Sequence, residues 1–65
     1  MLERIEGTTQ GGRRRLMDCS SEDGRRLHLW IHSPDSETNG WEIFIDPHEL
    51  FASLDRLGIR PASER

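Results

Sequence analysis

The sequence predicts an α+β domain: a short antiparallel sheet packed on one C-terminal helix. The sheet has three strands, or four if the N-terminal segment pairs as an edge strand. Residues 26–33 alternate apolar and polar side chains with a period of two, as a half-buried strand does. Residues 46–49 read Asp-Pro-His-Glu, which is typical of a helix start. Glycine-containing turn segments separate these elements.

The length of 65 residues allows a single domain, residues 1–65. We expect it to comprise an N-terminal arm or edge strand (1–12), a β-meander (13–46), a helix (47–57) and a tail (58–65). A chain this short buries little of its surface, so its stability is expected to be marginal. About a third of the residues are apolar and a third are charged, which is typical of a globular protein.

The composition also predicts where the protein resides. The single cysteine, Cys19, cannot form an internal disulfide, which favours a reducing compartment. The N-terminus lacks a continuous apolar segment, and no apolar run approaches the roughly 20 residues that span a bilayer. We therefore expect a cytoplasmic protein with no membrane anchor.

The strands are predicted in order along the chain. Residues 2–7 read equally as a short edge strand or a loose arm before Gly11-Gly12. Residues 13–19 form a strand that ends at an Asp23-Gly24 turn. Residues 26–33 form the clearest strand, Pro34 to Gly40 is a loop by composition, and Trp41 to Asp46 is rich in strand-forming residues.

The helix is predicted from both of its ends. Asp46 can cap its first turn, and Leu50, Leu54 and Leu57 then recur at helical spacing. Gly58 can take a left-handed conformation at the C-terminal end. About eleven residues give a helix roughly 16 Å long. The tail, Ala62 to Arg65, is expected to fray.

The strand pattern predicts two different sheet faces. With Met17 opposite Leu29 and Ile31 opposite Ile43, one face is apolar and the helix is expected to cover it. Its residues are Met17, Cys19, Leu27, Leu29, Ile31, Trp41, Ile43 and Ile45. On the other face this register places Leu16, Trp30 and Phe44 side by side. Arg14 and His32 lie at the rim of this aromatic row.

A large apolar row facing water indicates a contact surface. The N-terminal arm from Leu2 to Ile5 can cover it, a second copy can cover it, or another macromolecule can bind there. The predicted binding residues are Leu16, Trp30, Phe44, Arg14 and His32. Trp30 is the predicted anchor, because buried aromatic residues contribute much of the energy of protein interfaces.

The residues that could carry chemistry do not form a recognisable site. His28 and His32 share a face but lie about 13 Å apart along an extended strand, too far to bind one metal ion. Cys19 belongs to the opposite face, and His32 is expected beside Glu42. We therefore expect no enzyme activity, no metal and no cofactor.

A nucleic-acid hypothesis rests on the basic residues. Arg13, Arg14 and Arg15 form one group, and Arg25 and Arg26 form another. Such residues can hold phosphates while bases stack on Trp30 and Phe44. Residues 1–26 carry six arginines but also five acidic residues, and the net charge of −3 weakens non-specific affinity.

Part of the chain resembles a known group of proteins. Residues 26–32 (Arg-Leu-His-Leu-Trp-Ile-His), 40–45 (Gly-Trp-Glu-Ile-Phe-Ile) and 46–51 (Asp-Pro-His-Glu-Leu-Phe) follow one another as strand, strand and helix start. They are similar to the last strands and helix of single-stranded-DNA-binding transcriptional cofactors of the Pur-alpha and positive-cofactor kind. The resemblance implies nucleic-acid binding and dimerisation through the helix. It covers half the chain, and members of that group have more basic sheets and longer helices.

The sequence therefore predicts a small non-enzymatic regulatory or adaptor protein. It would act through protein contact, with a different partner or as a homodimer, through the aromatic sheet face. The alternative is a single-stranded nucleic-acid-binding module that uses the same face and the flanking arginines.

Overall fold

The computed structural model describes residues 1–62 of the chain. It contains four strands followed by one helix. These are β1 (Leu2–Thr8), β2 (Arg14–Ser20), β3 (Leu27–Ser33), β4 (Ser36–Ile45) and α1 (Pro47–Arg56). The strands form one antiparallel sheet in the order β1-β2-β3-β4. This confirms the predicted α+β class, and the N-terminal segment is an edge strand rather than an arm folded over the sheet. Residues 63–65 of the predicted frayed tail lie outside the described residues.

Two hairpin turns hold the first three strands in register. Between β1 and β2, the Thr9 N–H donates to the Arg13 carbonyl at 2.8 Å. Between β2 and β3, the Ser21 hydroxyl donates to the Arg26 carbonyl at 2.7 Å and accepts from the Gly24 N–H at 3.0 Å. Gly24 has φ of +74°, which is why glycine suits this turn.

The predicted loop from Pro34 to Gly40 is wrong. Only Pro34 and Asp35 separate β3 from β4, and Ser33 is already paired with Ser36. The polar segment after Ser36 continues the strand, because one side of an edge strand lies in solvent and accepts polar residues. A register irregularity lies between His32 and Ser33, beside this turn.

The predicted register is also wrong, by two residues. Cys19 pairs with Leu29, and Leu29 pairs with Ile43. A shift of two residues keeps each side chain on its face, so the predicted apolar set does share one face. It does separate the predicted aromatic row: Trp30 lies between Asp18 and Glu42, and not between Leu16 and Phe44.

The helix has the predicted caps. Asp46 accepts a hydrogen bond from the His48 N–H at 2.9 Å. At the other end the Gly58 N–H donates to the Asp55 carbonyl and the Ile59 N–H to the Leu54 carbonyl, with Gly58 at φ of +80°. This pair of hydrogen bonds is a Schellman motif.

The helix buries little of the sheet. None of its residues is buried, and its backbone makes only sparse contact with the strands. Within residues 1–62, Leu16 is the one buried hydrophobic side chain. The radius of gyration is 13.3 Å, against about 11 Å for a compact chain of this length. The sheet and helix therefore form an open arrangement with a very small core.

The described part of the chain contains no helix that is long and apolar enough to cross a membrane.

Candidate functional site

The strand pairing defines two faces, which we call the polar face and the apolar face. The polar face carries Leu2, Arg4, Glu6, Arg14, Leu16, Asp18, His28, Trp30, His32, Gly40, Glu42 and Phe44. The apolar face carries Glu3, Ile5, Gly7, Arg15, Met17, Cys19, Leu27, Leu29, Ile31, Trp41, Ile43 and Ile45.

An ionic network occupies the centre of the polar face. Arg4 donates from Nε to Asp18 Oδ1 at 2.6 Å and from Nη2 to Asp18 Oδ2 at 3.0 Å. His32 Nε2 lies 2.9 Å from Asp18 Oδ2, and the His32 residue is only 2% exposed. Three strands thus contribute one member each, and all three side chains have partners.

The geometry of this network fixes its charges. The hydrogen bond from Arg4, with that from His32, lowers the pKa of Asp18 to about 2. His32 Nδ1 lies 2.8 Å from the Ser33 carbonyl oxygen, while Nε2 faces the Asp18 carboxylate. Both nitrogens meet acceptors, so both bonds form only when the ring carries two protons. The Ser33 carbonyl first, and then Asp18, raise the pKa of His32.

Trp30, the predicted anchor, is engaged within its own chain. Its Nε1 donates to the Glu37 carbonyl at 3.2 Å, and its ring stacks on His32 with centroids 6.2 Å apart. The indole also lies over Gly40, where an added Cβ would come within 2.9 Å of Trp30 Cζ2. Trp30 is consequently half-buried, and its ring lies against His32 of the ionic network.

Phe44 is the exposed aromatic residue of the polar face, at 48% exposure. Its ring stacks on His28 with centroids 4.6 Å apart, and the Arg26 guanidinium lies 4.3 Å from the ring centroid. His28 Nε2 lies 2.7 Å from Glu42 Oε2, so the predicted pair between His32 and Glu42 is wrong. The register shift is the reason, because it moves Glu42 from beside His32 to beside Trp30. An open cleft of about 730 Å³ borders this group.

The predicted site residues are therefore spread over the polar face. Leu16 and His32 are buried, Trp30 is half-buried, and Arg14 is held by Glu6 at 2.7 Å near the hairpin turn between β1 and β2. The two basic groups are not brought together. Residues 13–15 lie at the start of β2, and residues 25–26 lie beyond its other end.

The apolar face was predicted to lie in the core beneath the helix, but much of it is exposed. Direct cross-strand pairing aligns Ile5, Met17, Ile31 and Trp41 into one row that crosses all four strands. We call these four residues the apolar row. Trp41 is 82% exposed, Ile5 is 53% exposed, and Ile31 is 39% exposed although β3 is an inner strand. Ile43, beside the row, is 53% exposed.

A signal for this surface was present in the sequence. A four-stranded sheet is roughly 15 Å across, since neighbouring strands lie about 4.8 Å apart. One helix has a diameter of about 10 Å, so it covers the width of about three strands and leaves the fourth strand, which carries Ile5, uncovered. The expectation that α1 covers the whole face overlooked this mismatch.

Neither a metal site nor a family is assigned to the described part of the chain. Among residues 1–62, no three His, Cys, Asp or Glu side chains are grouped so that they could hold a metal ion. Cys19 is half-buried on the apolar face, where burial raises the pKa of its thiol. Comparison with protein families, curated proteins and solved structures gives no match.

Proposed function

We propose that this chain is a small non-enzymatic regulatory or adaptor protein that acts through protein contact, and that its contact surface is the apolar face. The observation that carries the proposal is the exposure of the apolar row, including Ile31 at the middle of the sheet. A domain normally buries such a face under a second layer of structure. We propose that another polypeptide supplies this second layer.

The surface has the composition of a protein interface. Trp41 and Ile43 are neighbours on β4 with no charged side chain between them on this face, and Met17 and Ile31 continue the surface inward. Interface centres are depleted in charge and enriched in aromatic residues and methionine. The charged side chains of this face, Glu3 and Arg15, lie on either side of the row. The arrangement is therefore an apolar centre with a polar rim.

The single-stranded nucleic-acid alternative keeps one supporting observation, which is Arg26 beside the exposed ring of Phe44 at an open cleft. The support is weaker, because Phe44 is already in contact with His28 and Arg26, and Trp30 is engaged by its own sheet. Salt separates the two functions. Binding to phosphates weakens steeply as salt rises, whereas an apolar contact changes little.

A photoreactive amino acid tests the proposal in living cells. We would place it at position 41 on the apolar face and, in a separate variant, at position 2, where Leu2 is 56% exposed on the polar face. A discrete protein adduct from position 41, without the same adduct from position 2, supports the proposal. A nuclease-sensitive adduct, or none at all from position 41, rejects it.

A further inference from the structure

We infer that the partner of the apolar face is a second copy of this chain, and that two sheets pack face to face as a two-layer homodimer. This inference rests on the proposed function, because it names the partner of the same surface. Its centre is the apolar row, with Trp41 near one end and Ile5 at the other.

The surface area of the monomer is the first argument. A compact monomer of 7.5 kDa exposes about 4,200 Å² of accessible surface, whereas this chain exposes 5724 Å². The excess is roughly 1,500 Å² per chain. Obligate dimers bury about 2,000–5,000 Å² in total, or about 1,000–2,500 Å² per subunit. The excess surface of one chain therefore has the magnitude that one subunit of an obligate homodimer buries.

The near absence of a core is the second argument. Leu16 is the one buried hydrophobic residue that the described chain contains, so the monomer has little hydrophobic stabilisation of its own. Two copies that share one apolar layer would place Ile31 and Met17 of each chain in a common interior. Sheets that pack in this way lie about 10 Å apart. Closed two-fold dimers are also the commonest soluble homo-oligomers.

The charges that flank the apolar row favour self-pairing. Arg15 lies across from Gly7 on one side of the row, and Glu3 lies across from Cys19 on the other. Neither makes an ion pair with another described residue. A two-fold axis along the row turns the Arg15 side of one copy over the Glu3 side of the other. Each copy then presents an arginine to a glutamate, and the interface closes after two chains.

The outer edges of the sheet take no part in this dimer. A face-to-face dimer uses side chains of the sheet face and does not require the edge of β1 or β4. The polar face, with its Arg4–Asp18–His32 network, stays on the outside of both layers. The homodimer would therefore present two copies of the polar face to solvent.

Sedimentation of the purified chain from micromolar to millimolar concentration tests the inference. We expect a species of about 15 kDa, which is twice the 7.5 kDa chain. Trp41→Ser should raise the dissociation constant at least about tenfold. Ile5→Ser should also weaken the dimer, while Leu2→Ser should not. Leu2 and Ile5 lie on the same strand with 56% and 53% exposure, on opposite faces, so they form a matched pair.

The charged residues at the rim, Arg15 and Glu3, allow an independent test of the homodimer. Arg15→Glu should weaken the dimer, and adding Glu3→Arg to the same chain should restore it. Absence of this rescue would exclude the two-fold arrangement. If Trp41→Ser leaves no folded protein, the melting temperature of the wild-type chain at several concentrations distinguishes a dimer from a monomer. It rises with concentration for a dimer and stays constant for a monomer.

The outcomes for the homodimer and for the proposed function can be told apart. A wild-type chain that sediments as a folded monomer at every concentration overturns the homodimer. If the photoreactive residue at position 41 still captures a protein of another mass, the proposed function stands without it. If nothing is captured, both fail.

Discussion

The indole of Trp30 lies directly over Gly40, across the two last strands of the sheet. A Cβ at position 40 would approach Trp30 Cζ2 to 2.9 Å and would also press on the Ile31 carbonyl oxygen. The backbone at Gly40 is in an ordinary conformation, so the requirement for glycine is one of space. This close approach lets Trp30 reach the Glu37 carbonyl and cover His32.

Gly40→Ala should therefore destabilise the fold. The added methyl group must displace the β3 backbone at Ile31 as well as the Trp30 ring, and overpacking of this kind costs about 1–3 kcal/mol. The measurement is urea unfolding followed by circular dichroism. Gly7→Ala is the matched control, because Gly7 also lies in a strand but has open space where its Cβ would be. Equal effects of the two substitutions would show that the close approach of β3 and Trp30 to Gly40 does not limit the residue at position 40.

The two tryptophans should report on different parts of the protein. Trp30→Phe leaves Trp41 as the sole fluorophore, and Trp41→Phe leaves Trp30. If the apolar face is shared by two copies, the Trp41 emission should shift to longer wavelength on dilution as the dimer dissociates. The Trp30 emission should stay constant, because its contacts lie within one chain. A concentration-independent Trp41 spectrum would contradict this expectation.

The two tryptophans also show which part of the fold could be predicted from the sequence. Period-two alternation places Trp41 and Ile31 on one face and Trp30 on the other, and that prediction is confirmed. Alternation cannot fix which residues lie opposite one another, because a shift of two preserves the pattern. The turn sets that register, and the Pro34-Asp35 turn is much shorter than the polar composition after it suggested.

The ionic network was missed for the same reason. Asp18 and His32 lie fourteen residues apart, and only the true pairing of β2 with β3 brings them within 2.9 Å. Arg4 joins them because β1 is an edge strand paired with β2 over its whole length. A sequence pattern of isolated charged residues does not reveal such a contact. It depends on three strands at once.

Arg4 should matter more for stability than Arg14. Both are arginines that pair with a carboxylate across β1 and β2, but Asp18 is buried, whereas Glu6 is exposed. Arg4→Gln leaves the Asp18 carboxylate without both hydrogen bonds from the guanidinium, which is costly for a buried charge. Arg14→Gln should have little effect, because exposed ion pairs contribute little. Thermal unfolding of the two variants gives the comparison, and a larger loss for Arg14→Gln would refute the structural role of the network.

The helix start offers a test that is independent of the sheet. Asp46→Ala removes the acceptor for the His48 N–H and should destabilise the helix by about 1 kcal/mol. Asp46→Asn should retain most of the stability, since asparagine caps helices about as well as aspartate. Helical circular dichroism during urea unfolding measures both. An equal loss in the two variants would show that the charge of Asp46, and not its hydrogen bond, stabilises the helix.

The Arg4–Asp18–His32 network should make the stability of the fold depend on pH at both low and high pH. Asp18 has a folded-state pKa of about 2, below its ordinary value of 3.8. Its contribution is present above pH 3.8 and is lost as the pH falls toward 2. The pKa of His32 is raised above 6.5, so its contribution is complete below pH 6.5 and is lost as the pH rises through the folded-state pKa.

Urea unfolding across the pH range measures both the loss of stability at low pH (the acid limb) and the loss at high pH. The charged groups around His32 are Asp18 on β2 and Arg4 on β1, with Glu37 of β4 lying 3.7 Å from Arg4. His32→Gln cannot take up a proton, so it should abolish the loss of stability at high pH while leaving the acid limb in place. Asp18→Asn should reduce both limbs, because the raised pKa of His32 depends in part on the Asp18 carboxylate. If wild type and His32→Gln lose stability in parallel above pH 6.5, His32 does not hold its second proton in the folded chain, and the hydrogen bonds to Ser33 and Asp18 are not both formed.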